Sequence, residues 1–332
     1  MNYNKKIALI TGAGSGIGAE TAILLAKHDY HTIITGKTLS SLEKTEKTIV
    51  DNGGSCTLVK LDMNDFIGID KLGLEIFKRW KKLDLLISNA AILGTLGPIH
   101  HQSNDEFIEV LNVNLVSNHR LIRSLEPLLK NSDQPKACFL SSTVAIEVRP
   151  FWGAYAVSKA SLQHMVKIWS MENKNNDLSI SIINPGKTNT KMRKQAMPGE
   201  NIKNLQKPKE VAEKIKDIME MGLAVLEANV PPELCDQVIE DYQSYSNENS
   251  EYVKENLDQF GHEKRLVDFH HWSEAGMQLA LNETALSILD IIFGKPACPY
   301  TSLTFKYGTQ QPAHKDTPHF ATFPLGFFAG VW

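Results

Sequence analysis

The chain has 332 residues, 42% hydrophobic and 22% charged, with 21 glycines and 14 prolines. These proportions exclude a disordered, collagen-like or coiled-coil protein and give a prior of two domains or one large one. Net charge is −3, but residues 1–221 hold 29 Lys+Arg against 23 Asp+Glu and residues 222–332 hold 6 against 15. The step marks two segments of different character meeting near Gly222, and no basic stripe with interleaved aromatics points to nucleic acid.

In chain order, Met1–Lys6 resembles the start of a signal peptide, yet only Ile7–Ile10 follows before Thr11-Gly12, too short an apolar run. No run of 18 apolar residues appears, so no membrane-spanning helix is expected. Short, near-continuous apolar runs at 7–10, 32–35, 57–61, 85–87, 137–140 and 180–183 predict strands covered on both faces. Amphipathic stretches at 17–27, 39–52, 66–80, 104–130, 153–173 and 208–220 predict helices between and after them. This alternation predicts a Rossmann-type doubly wound parallel sheet over residues 1–221, an α/β domain. Beyond it, 222–230 reads as a strand, Pro231 to about Tyr242 as a helix, Ser244–Ser250 as a linker and 273–293 as a helix. Short strands are expected at 302–307 and 327–332. The four cysteines, Cys56, Cys138, Cys235 and Cys298, form no CxxC pair and suggest a reducing, cytoplasmic setting.

Ile7-Ala-Leu-Ile-Thr-Gly-Ala-Gly-Ser-Gly-Ile-Gly18 is a strand, a glycine turn and a helix start. Gly12 permits the tight turn, Gly16 lets backbone approach a pyrophosphate, and Gly18 lets helix and strand pack closely. The helix N-terminus offers free N–H donors and a partial positive charge to phosphates. The second strand ends Thr35-Gly36-Lys37, with no carboxylate to hold the adenosine ribose of NAD. Lys37 is placed either to pair with the 2′-phosphate of NADP or to remain solvated at a helix start, so NADP is preferred over NAD.

Tyr155-Ala-Val-Ser-Lys159 sets a phenol and an ammonium four apart on one helix face. A phenol of pKa about 10 is a poor base near neutrality, and a neighbouring ammonium favours the phenolate. Together, Thr11-Gly-Ala-Gly-Ser-Gly-Ile-Gly18, Ser88-Asn-Ala-Ala91, Asn114, Ser142, Tyr155-x-x-x-Lys159 and Pro185-Gly186 resemble the short-chain dehydrogenase/reductase family in order and spacing, over residues 5–220. The resemblance implies Tyr155 as proton donor or acceptor, with Lys159 lowering its pKa and binding the nicotinamide ribose. It implies Ser142 as hydrogen-bond partner of the substrate oxygen and Asn114 as holder of a relay water. Cofactor contacts are implied for Gly12, Ser15, Gly16, Ile17, Gly18, Lys37, Asp62, Asn89, Pro185, Gly186 and Thr190. Ala91 departs from the glycine common there. The family's seventh strand and final glycine-rich turn are not found, although Gly222–Leu226 could substitute for the strand.

The implied activity is hydride transfer between a nicotinamide and a carbonyl/alcohol substrate, with a cofactor-binding module lacking turnover as the alternative. Leu93, Val144, Trp152 and residues 187–205 are expected around the substrate. Lys187, Lys191, Arg193 and Lys194 in that segment suit either an acidic substrate or a solvated loop. Helices 104–130 and 153–173 are expected to join copies of the chain.

Gly308 to Trp332 resembles the phytanoyl-CoA dioxygenase-like family, whose N-terminal part residues 222–332 would match as an incomplete, partly jelly-roll-like α+β segment. His314 and Asp316, two apart on an expected strand, fit two arms of a two-His-one-carboxylate iron site. The third ligand and a 2-oxoglutarate-binding arginine are not found, so neither Fe(II) nor 2-oxoglutarate is expected to bind. A fusion, a truncation or a misassembled reading frame would each give this pattern.

Overall fold

Six short apolar strands have nowhere to bury both faces except between two helix layers, and the computed structural model builds that arrangement. It describes residues 5–221, 232–249, 266–267, 271, 273–281 and 303–304. The chain divides into two units, Met1–Val225 and Leu226–Trp332.

In the first unit, β1 (Lys6–Ile10), β2 (Tyr30–Gly36), β3 (Ser55–Lys60), β4 (Leu85–Ser88), β5 (Lys136–Leu140) and β6 (Ser179–Ile183) form one parallel sheet. Its order is β3-β2-β1-β4-β5-β6. Side chains alternate between two cores, as the two-residue period of a strand requires. Ile7, Leu9, Ile33, Leu86 and Phe139 meet α3 (Phe66–Trp80), α5 (Ser117–Leu129) and α6 (Gly153–Glu172). Ala8, Ile10, Ile34, Ile87 and Leu140 meet α1 (Gly16–Lys27), α2 (Leu39–Asp51) and α8 (Pro208–Met221). Each fully buried Leu, Ile or Phe adds about 1.5–3 kcal/mol. Strand order reverses between β1 and β4, which opens a crevice beyond their C-terminal ends, where ligands bind in such sheets.

Two features of this unit depart from the sequence expectation. The stretch 104–130 is not one regular helix. It comprises α4 (Asn104–Leu111), a π-helical turn over Asn112–Val116, and α5. Inside that turn the buried Asn114 bonds outward to Ile92 and Ser158, while the Asn118 side chain donates to the Asn114 carbonyl at 2.9 Å. A π-turn accommodates such a diversion of the ladder. A short helix, α7 (Lys191–Ala196), also appears, its N-terminus capped by Thr190 Oγ1 accepting from Arg193 N at 3.1 Å.

In the second unit α9 spans Pro232–Glu248, so Ser244 to Glu248 is helix where the sequence suggests a linker. The cause is packing: buried Tyr242 sits with Val238 and Tyr245, four before and three after it. A second helix, α10, covers Glu274–Ala280, and β7 (Leu266–Val267) pairs antiparallel with β8 (Leu303–Thr304). The expected strands at 222–230 and 327–332, together with His314 and Asp316, lie outside the described residues. No described helix is long and apolar enough to cross a membrane.

Candidate active site

The glycine loop runs from β1 into α1 over the crevice. Gly12 has φ +66° and Gly16 φ +59°, the left-handed region that favours glycine. A Cβ on Gly12 would lie 2.9 Å from the Ala90 Cα, and one on Gly18 2.5 Å from the Gly12 carbonyl oxygen. Both positions are therefore closed to any side chain. At Gly16 an added Cβ would meet only Thr190, at 3.4 Å, so the loop stays open toward that residue. Ser15, the α1 N-cap, makes no capping bond through its side chain. An open loop at a helix N-terminus, with backbone accessible and no side chain in the way, fits a dinucleotide pyrophosphate.

Asn89 and Thr11 brace this loop. Thr11 Oγ1 accepts from the backbone N–H groups of Asn89 and Ala90, both at 3.0 Å. The Asn89 side chain donates to the carbonyls of Thr11 at 2.9 Å and Gly12 at 3.2 Å. Asn89 thus fixes the loop from the adjacent strand end. Lys37 and Asp62, each expected from the sequence as a cofactor contact, form an ion pair of 2.9 Å, with Lys37 73% exposed. A hydrogen bond to Asp62, then the carboxylate's charge, raises the Lys37 pKa. Burial pushes Asp62 up, but the Asn64 N–H and Lys37 outweigh it and hold the carboxyl low.

Across the crevice, α6 carries Tyr155 and Lys159, both buried. Burial raises the Tyr155 pKa, and a hydrogen bond with Ser142 pulls it partly back. Ser142 stands half-buried just beyond β5. Lys159 Nζ donates to the Leu140 carbonyl at 2.7 Å and lies 6.0 Å from the Tyr155 ring centroid. Burial brings its pKa down to about 8. Asn114 Oδ1 accepts from Ile92 N, and its Nδ2 donates to the Ile92 carbonyl and to Ser158 Oγ, all at 2.9 Å. Ser158 Oγ in turn donates to the Tyr155 carbonyl at 2.8 Å.

The turn after β6 closes the site. Gly186 has φ +65°, its N–H bonded to Asn184 Oδ1 at 3.1 Å, and Asn184 Nδ2 reaches Thr143 Oγ1 at 3.0 Å. Pro185 accepts through its carbonyl from Thr188 Oγ1 at 3.0 Å. On the substrate side Leu93, Val144 and Tyr155 form a small buried cluster, with Leu96, Trp152, Ala156, Met192 and Ala196 packed on it. Leu93, Val144 and Trp152 were expected there, as was the 187–205 segment, which supplies Met192 and Ala196 from α7; Leu96 was not. Arg193, one of the five basic residues of the 187–205 segment, is committed to Glu200 through two contacts of 2.5 and 2.6 Å.

Sequence reasoning missed three supports. Ser158 shares the Tyr155 helix and sits three residues on, a spacing that signals a one-turn neighbour. Asn118, bonded to Ser88 as well as to the Asn114 carbonyl, could have been sought four residues after Asn114. Gln163, donating to Ser141 Oγ at 2.7 Å, has no local signal.

The short chain dehydrogenase family matches residues 6–201, more than half of the chain. An uncharacterized oxidoreductase of Escherichia coli K12, YciK, is 31% identical over 211 residues, 63% of this chain and 83% of that protein. A fatty acyl-CoA reductase of Acinetobacter baylyi is 29% identical over 55% of this chain, which spans 62% of that relative's length. A short chain dehydrogenase of Escherichia coli CFT073, solved in complex with NADPH, superposes with a TM-score of 0.62 at 31% identity, covering 65% of this chain and 91% of the other. The chain belongs to the short-chain dehydrogenase family and is an NAD(P)-dependent oxidoreductase.

Proposed function

We propose that the enzyme interconverts an apolar carbonyl compound and its alcohol, using NADP(H), with Tyr155 transferring the proton. The observation that carries this is the buried Tyr155, beside an apolar cluster and across from a glycine loop open to a dinucleotide. Bound NADPH supplies the hydride to the carbonyl carbon. Tyr155 gives its proton to the carbonyl oxygen, and Ser142 holds that oxygen. A phenol kept protonated by burial suits the donating role, hence carbonyl reduction. Lys159, anchored on Leu140, is placed for the nicotinamide ribose. Asn114 holds the Tyr155 segment through Ser158 and is positioned for the proton relay.

NADP is preferred because no carboxylate ends β2, while Lys37 stands exposed and exchanges Asp62 for a 2′-phosphate. Titration of NADPH and NADH should show NADPH binding more tightly, by roughly three- to tenfold, with the ratio falling toward one in Lys37→Ala. An apolar substrate follows from the cluster of Leu93, Leu96, Val144, Trp152 and Met192, and from the pairing of Arg193 with Glu200. Decanal should therefore be reduced faster than 10-oxodecanoate, followed through NADPH absorbance; the reverse order would restore the acidic substrate.

Two copies of the chain are proposed to meet through the outer face of α6. There Ala160, Ser161, His164, Met165 and Ile168, with Leu115, line a shallow apolar depression of about 550 Å³. Sedimentation velocity tests this. A cytoplasmic setting agrees with the free Cys56 and Cys138 thiols. For residues 222–332 we propose no iron oxygenase activity, because His314 and Asp316 are two ligands where a facial triad takes three. Fe(II)- and 2-oxoglutarate-dependent succinate formation lost in His314→Ala would overturn that.

A further inference from the structure

We propose that Gln102 is a positioning residue for Tyr155, clamping the N-terminus of the catalytic helix to the loop that carries Leu93 and Leu96. The inference rests on the assignment of Tyr155 as the proton-transferring group.

The first N–H groups of a helix lack partners within it. In α6 the N-cap Trp152 makes no capping bond through its side chain. The Ala154 N–H, immediately before Tyr155, is instead satisfied from 52 residues away: it donates to Gln102 Oε1 at 3.1 Å. The other end of the same amide, Nε2, donates to the Thr95 carbonyl at 3.0 Å. Thr95 is held in turn by Glu106 Oε1, which accepts from its N–H at 2.8 Å and its hydroxyl at 2.7 Å. A further tie runs from Gly97 N–H to the Phe151 carbonyl at 2.9 Å, and Phe151 holds φ +73°, a costly value for a bulky side chain.

The geometry also explains Gly153. A Cβ there would lie 2.4 Å from Gln102 Oε1, so the amide reaches the helix only because this residue has no side chain. On the other side of Tyr155, Asn114 bonds Ile92 at the start of the same loop and, through Ser158, the Tyr155 carbonyl. The phenol's backbone is thus gripped from both sides by one loop. That loop presents Leu93 and Leu96 to the apolar cluster in which Tyr155 lies. Gln102 couples the position of the proton donor to the shape of the substrate wall, while among the described residues no hydrogen bond links it to the glycine loop or to Lys37.

Gln102→Met keeps the volume and removes both polar ends; Gln102→Glu keeps an acceptor for the Ala154 N–H, where a helix N-terminus favours negative charge. Gly153→Ala should act like Gln102→Met by displacing the amide. With decanal as probe, Gln102→Met and Gly153→Ala should lose about five- to tenfold in kcat/KM, the scale of one hydrogen bond, with unchanged NADPH affinity. Gln102→Glu should recover only part of the loss, because it restores the helix bond but has no donor for the Thr95 carbonyl. Amide hydrogen exchange needs no substrate: protection at Ala154 and Tyr155 should fall in Gln102→Met and return in Gln102→Glu. Wild-type protection in Gln102→Met would overturn the proposal, as would a parallel loss of NADPH affinity. Tyr155→Phe, assayed alongside, separates the two readings: full activity there removes the assignment of Tyr155 and leaves the exchange result to judge the clamp.

Discussion

The cofactor side and the substrate side of the crevice are built by different physics. On the cofactor side, position is enforced by excluded volume and by hydrogen bonds between two strand ends: glycines that admit no Cβ, and Thr11 and Asn89 laced to the loop. On the substrate side, apolar side chains from the loop after β4, from the stretch after β5 and from α7 meet around Tyr155, and polar bonds at Thr95 hold the first of these from behind. A hydrogen-bonded cradle fits one ligand shape. A loop-borne apolar wall admits many, since exchanging apolar side chains of similar volume costs little.

The sharpest way to break this contrast is Gly18→Ala. Its Cβ would lie 2.5 Å from both the Gly12 carbonyl oxygen and the Asn89 amide nitrogen, so loop and brace must move together. NADPH affinity should fall between about tenfold and a hundredfold, the range that overpacking strain corresponds to. The Tyr155 environment should be spared, and equilibrium titration checks this. Unchanged affinity would mean that the cradle is softer than its geometry implies.

Next is Lys159, at the boundary of the two sides. Its pKa is about 8 in the fold against 10.5 when unperturbed. Between these values the unfolded chain binds the extra proton, so stability rises as the pH goes from 8 to 10.5. Lys159→Met should abolish that rise in Tm relative to the wild type. Parallel curves for the two proteins would contradict the burial of Lys159.

The smallest expected effect is Met192→Ala, on the substrate wall. Loss of part of a half-buried side chain should raise KM for decanal by roughly threefold and leave NADPH affinity alone. Movement of both constants would erase the distinction between the two sides.

The same division governs what could be read from the sequence. Parallel strands buried on both faces are near-continuously apolar, so the inner strands β1, β2, β4 and β5 stand out. The half-buried edge strands β3 and β6 keep enough apolar residues to be seen with them. The glycines at 12, 16 and 18 are set by a spacing that only backbone geometry explains. Tyr155 and Lys159 are legible because one helix turn fixes their relation. The π-turn at Asn112–Val116 is not, because it depends on Asn114 finding Ile92, 22 residues away. Gln102 is hidden for the same reason: its partner is 52 residues off and a backbone N–H carries no sequence signature. The pairing of Lys37 with Asp62 joins two strand ends that only the sheet brings together. In the second unit, Ser244 to Glu248 looked like a linker by composition, and the helix there is set by the packing of Tyr242 with Val238 and Tyr245.

Proton delivery by Tyr155 is tested most directly in a single turnover. Wild type and Tyr155→Phe are loaded with NADPH deuterated at the nicotinamide C4 and mixed with decanal. Wild type should oxidise the cofactor and place one deuterium on the carbinol carbon. Tyr155→Phe should bind NADPH equally well and react about 10²–10⁴-fold more slowly, the scale of general acid catalysis. Cofactor oxidation in Tyr155→Phe at the wild-type rate, with the same deuterium transfer, would contradict it.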